Sequence, residues 1–131
     1  MSVKQVSING TSYNIAQVNA EIQSDMLDDL YQLTITAFKF TDDTEIKPQE
    51  LSDLIGCYAS QGKKEVAKRL RKNSILKTVK SGEDRPVDIM DFGGQIDSYN
   101  LLTAHAIMEN LSDFFTRLGK ERAARLSNQV E

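Results

Sequence analysis

An α+β domain, mainly helical, is the fold class that the sequence predicts. Near the start, Val6 and Ile8 alternate with polar residues before Asn9-Gly10, and Tyr13 and Ile15 alternate after it. From Gln17 onward the apolar spacing changes to three and four residues, the period of an amphipathic helix. The 131 residues, 40% hydrophobic and 27% charged, suffice for one domain with a single core.

Each element has its own signal. Asn-Gly favours a two-residue hairpin turn because both positions accept positive φ at little cost, so residues 3–15 read as a β-hairpin. Val18, Ile22, Met26 and Leu30 step by four, with Leu27 and Leu33 widening the stripe and Asp25, Asp28 and Asp29 facing away. This predicts a long helix to about Phe38. TDDTEIK is a polar connection, and Pro48 suits the first turn of the next helix, where its missing N–H costs nothing. That helix buries Leu51, Leu54, Ile55 and Tyr58, with Cys57 beside them, and Gln61-Gly62 marks its stop. KKEVAKRLRKN forms a short basic helix. SILKTV and PVDIM, flanking KSGEDR, predict a second short hairpin over 75–91. Phe92-Gly93-Gly94 is a flexible joint, and Asp97 or Ser98 can cap a last long helix that runs to Leu118. The prediction is thus about four helices, two of them long, in one globular domain over 1–118, with 119–131 a weakly anchored helix or tail.

Composition narrows the function classes. No apolar run approaches the roughly 18–20 residues of a membrane span, and the start lacks the apolar stretch of an export signal. A single cysteine rules out an intramolecular disulfide and suits a reducing cytoplasm, and with one histidine and no CxxC no structural zinc site is expected. Cys57 has no basic neighbour to activate it and reads as a small core residue. His105 and Glu109, at i and i+4, are too few for a metal and read as a helix-face hydrogen bond. Asp28-Asp29 and Asp42-Asp43 point apart and read as solvated charge. Gly93-Gly94 carries no phosphate-loop pattern. No catalytic residue, metal or cofactor is expected, and the chain reads as non-enzymatic.

Charge is uneven. Residues 1–62 set three lysines against nine carboxylates, a balance of −6, whereas residues 63–80 set eight Lys or Arg against Glu65, a balance of +7. Lys63, Lys64, Lys68, Arg69, Arg71 and Lys72 could neutralise phosphates, which makes a small nucleic-acid-binding regulatory protein the alternative function. The acidic whole, with pI near 5.2 and no interleaved aromatics, favours instead an acidic surface on a neighbouring copy or partner.

The order of these features resembles the tail assembly chaperones of long-tailed, non-contractile, siphovirus-type bacteriophages. The likeness lies in the early hairpin VSINGTSYNI, the long amphipathic helices that follow, and the late FGGQIDSYNLLTAHAIMENLSDFF, in which a Phe-Gly turn leads into a helix ending in Asp-Phe-Phe. It spans most of residues 4–118. The resemblance implies a homo-oligomeric protein of the host cytoplasm, left out of the finished virion, that binds the helical tape-measure protein and helps recruit tail-tube subunits. It also implies a longer form made by a −1 frameshift, for which Leu118-Gly119-Lys120 is compatible with a slippery codon run. Phe92, Tyr99, Met108, Phe114 and Phe115 are the expected client contacts. Phe115 is expected to share a stripe with Leu111 and Leu118, leaving Phe114 at the rim, either as a partner anchor or in ordinary core packing; as an anchor, Phe114→Asp would weaken client capture without unfolding the domain. The LTITAFKF stretch and the strongly basic helix are not features of the resemblance.

Overall fold

The computed structural model describes residues 3–39 and 46–130. Strands β1 (Val3–Ile8) and β2 (Thr11–Ala16) form the predicted hairpin, with Val6 opposite Tyr13 and Lys4 opposite Ile15. Its turn holds Asn9 at φ 53° and Gly10 at φ 82°, the left-handed pair for which Asn-Gly is selected. Strand period two buries Val6, Ile8, Tyr13 and Ile15 together.

Helix α1 (Ala20–Lys39) continues through the β-branched stretch, as the apolar period predicts. The side chains of Thr34, Ala37 and Phe38, and most of the predicted TDDTEIK connection including Asp42-Asp43, lie outside the described residues. Helix α2 (Pro48–Tyr58) begins on its proline. A wide turn over Ala59–Lys63, with Gly62 at φ 92°, replaces a clean stop and leads into α3 (Lys64–Ser74).

The predicted second hairpin is reduced to one strand and one bridge. Strand β3 (Thr78–Lys80) joins β2, giving an antiparallel sheet in the order β1-β2-β3. The return segment pairs with β3 through the bridge of Val79 to Pro86, beside which the Val87 amide donates to the Thr78 carbonyl at 2.9 Å. Beyond it, PVDIM does not extend into a strand: the Asp88 carboxylate accepts from the Met90 amide and the Asp91 carboxylate from the Asp88 amide, winding Ile89–Phe92 into a single 3-10 turn.

The expected last helix is two segments, α4 (Ile96–Asn110) and α5 (Ser112–Val130), broken at Leu111, whose φ of −113° and ψ of 35° leave the helical region. Neither Asp97 nor Ser98 caps α4. The helix starts at Ile96, with Gln95 before it making no side-chain cap, so both residues fall inside the first turn. Beyond Gly119 the chain continues as helix, and Arg122 is only 1% exposed, 3.7 Å from Glu50 of α2. Packed side chains therefore extend past Leu118, where the apolar pattern thins.

Two apolar clusters make the core. Met26, Leu30, Leu51, Ile55, Leu70, Ile107 and Leu118 are among the residues of a helical cluster. Val6, Tyr13, Ile15, Phe92, Tyr99 and Leu102 are among those of a cluster under the sheet. Helix α4 serves both, so it is apolar on two sides rather than along one stripe. Where α4 ends, buried Asn110 ties three parts of the chain together: its Oδ1 accepts from the Val18 amide at 2.8 Å, and its Nδ2 donates to the carbonyls of Ala106 at 2.9 Å and Ser74 at 3.4 Å.

Candidate functional site

The five expected client contacts separate into two environments. Phe92 and Tyr99 are core residues. Phe92 is 3% exposed, with its ring 6.0 Å from that of Tyr13 and 5.5 Å from that of Tyr99. The 3-10 turn aims Phe92 inward under the sheet, where both rings are buried, and the Phe-Gly-Gly segment is pinned at its aromatic end.

The Phe pair is reversed. Phe114 is 7% exposed and packs edge-on to Tyr31 of α1 at 5.6 Å, with the Arg117 guanidinium 5.6 Å from its ring. Phe115 is half-buried. Together with Met108, Ile46, Lys4 and Gly119 it lines a cleft of about 370 Å³ along the α4–α5 junction. Two of the five residues, Met108 and Phe115, are thus brought together on an accessible surface.

The basic helix does not present six free cations. Arg69 grips Asp29 of α1 through two hydrogen bonds of 2.6 and 2.9 Å, and Asp29 is buried rather than solvated as expected. Lys63 donates to the Gln32 carbonyl at 2.6 Å. Arg71 is half-buried. Burial lowers its pKa, opposed by Tyr99, whose own pKa burial raises. Lys64, Lys68 and Lys72 are exposed. Part of the acid–base asymmetry is therefore satisfied inside one chain, where α1 packs on α3.

One apolar surface escaped the sequence reading. A groove of about 570 Å³ runs between the C-terminal half of α3 and the 85–91 segment, and its lining includes Lys68, Lys72, Leu76, Ile89 and Met90. Leu76, Ile89 and Met90 are 40%, 44% and 85% exposed. Within the wall, Arg85 pairs with Asp91 at 3.0 and 3.2 Å. That pairing, and then the Asp88 amide, holds the Asp91 carboxyl below its usual range. A strand reading of PVDIM would bury alternate residues, whereas the turn leaves Ile89 and Met90 both exposed.

Cys57 is exposed, not a core residue. Its Sγ accepts from Gln61 at 3.6 Å, while Leu51, Ser52 and Ile55 form the buried face of α2. Among the described residues no group of three or more His, Cys, Asp or Glu could hold a metal ion. Nor is any described helix long and apolar enough to cross a membrane.

No family model, curated protein or solved structure matches the chain.

His105 supplies a pH test of the fold. Burial, and then Lys4, push its pKa below the ordinary value of 6.5. The unfolded chain consequently takes up the proton first as pH falls. The stability held above about pH 6.5 is expected to decline below it until the folded form also protonates. His105→Gln should flatten that stretch of the stability–pH curve measured by urea titration. An unchanged slope would refute the assignment.

Proposed function

We propose that this chain is a non-enzymatic assembly chaperone of the phage-tail type that its sequence resembles. In this reading it oligomerises in the host cytoplasm, holds a segment of the tape-measure protein and helps recruit tail-tube subunits. The observation that carries the reading is the cleft that gathers Met108 and Phe115, an adaptable thioether beside an aromatic anchor, on one accessible surface. Such a surface suits the apolar face of a helical client. The commitment of Arg69 to Asp29 and of Lys63 to a backbone carbonyl weakens the nucleic-acid alternative by reducing the cations available to phosphate.

The test is co-purification with tape-measure segments, comparing the wild-type chain with Phe115→Asp. Capture is expected to fall by about ten-fold or more, as for loss of a hot-spot aromatic, with unchanged helicity by circular dichroism. Undiminished capture by the variant, or none by the wild type, would refute the reading. Native codons 118–120 offer a second check: a slippery run opening into a long −1 frame agrees with it, and immediate stops in that frame oppose it.

A further inference from the structure

We infer that the groove between α3 and the 85–91 segment is a docking site for an acidic amphipathic helix of a partner protein. This inference stands apart from the chaperone reading, because it uses none of the Met108–Phe115 cleft. Leu76, Ile89 and Met90 are exposed together in one groove, and clustered rather than scattered apolar exposure marks an interaction surface. Met90, almost wholly in solvent, can adapt to the side chain it meets.

The wall that carries Ile89 and Met90 is organised in advance. The reciprocal Asp88–Asp91 capping bonds and the Arg85–Asp91 pair fix the turn without a ligand, so little ordering cost remains for binding.

Charge decides the occupant. Asp91 is paired with Arg85, and although Asp88 keeps its charge while accepting from the Met90 amide, Lys68 and Lys72 leave the lining net positive. Lys68 and Lys72 stand one turn apart on the opposite wall, roughly 6 Å between their Cβ atoms. Two carboxylates at i and i+4 of an incoming helix have the same spacing, with the helix's apolar face turned toward Leu76, Ile89 and Met90. An extended segment is disfavoured. Strand addition needs an open sheet edge, and the outer edge of β3 is already engaged by the Val87 amide on the Thr78 carbonyl and by the bridge to Pro86.

The probe is a synthetic peptide of about 18 residues, five helical turns, with a leucine face and glutamates at i and i+4 beside it. A control peptide carries lysines in place of those glutamates. Fluorescence anisotropy at low salt is expected to show the acidic peptide binding about ten-fold more tightly than the basic one. In the doubly substituted chain Lys68→Glu, Lys72→Glu the preference should reverse, and Met90→Asp should weaken both peptides. These positions are exposed, and circular dichroism should confirm that each variant stays folded. Binding indifferent to peptide charge, or unaffected by Met90→Asp, would overturn the proposal. Concentration-dependent self-association abolished by Met90→Asp would also overturn it, by placing a second copy in the groove. Failure here with intact tape-measure capture would leave the chaperone reading standing, and the converse holds equally.

Discussion

Replacing Asn110 with leucine is expected to lower the unfolding free energy by about 2–4 kcal/mol. Leucine nearly matches the shape of the side chain but removes the acceptor from the buried Val18 amide and the donor to the Ser74 carbonyl. Both groups lie where water cannot readily replace the lost partner, so desolvation is left uncompensated. A urea titration should show the midpoint falling by roughly 1–2 M with the slope unchanged. Gln17→Ala, which removes only an exposed hydrogen bond to the Glu109 carbonyl, should stay within about 0.5 kcal/mol. A leucine variant as stable as that control would mean that the junction is held by apolar packing alone.

Phe114→Ala is expected to cost about 3–4 kcal/mol, as for truncation of a buried aromatic. The ring fills the gap between α5 and α1 against Tyr31, and Arg117 both lies over it and donates to the Tyr31 hydroxyl at 3.1 Å. Phe114→Asp should therefore abolish cooperative folding, contrary to the role that the sequence suggests for it. Half-buried Phe115 should respond in the opposite sense, losing client capture while retaining most of its stability. Thermal melts of the two alanine variants decide the matter. Equal losses would show that the faces of α5 are assigned wrongly.

The reason that the sequence misplaces this pair is geometric. Leu111 and Leu118 are seven apart, and either Phe114 or Phe115 completes a three-plus-four spacing between them. Tyr31, contributed by α1 far away in the chain, helps to break the tie. The N-terminal hairpin needed no such arbitration, because Asn9-Gly10 and the alternating residues beside it carry their information locally. The same distinction explains Asp29 and Cys57. Adjacent carboxylates read as solvated until α3 brings Arg69 to one of them, and a cysteine next to an apolar stripe reads as buried although its position on α2 faces water. The groove was invisible because PVDIM has strand-like composition, while two aspartates three apart wind its end into a turn. Periodicity locates elements well. It does not say which neighbour each face will meet.

Helix α4, shared between the two apolar clusters, also sets how the molecule can open. The helical cluster draws on α1, α2, α3 and α5, whereas the other draws on the sheet, Ile75 and the 86–92 segment, and among the described residues only α4 contributes several side chains to both. Loss of packing in one cluster need not propagate through the other so long as α4 holds its place. The sheet side can then breathe as a separate cooperative unit while the helical side stays closed. Because Val87 and Phe92 belong to the sheet side, one wall of the apolar groove moves with it and the α3 wall remains. A ligand bridging those walls would therefore fasten the two units together, stabilising the molecule as a clasp does, across its seam.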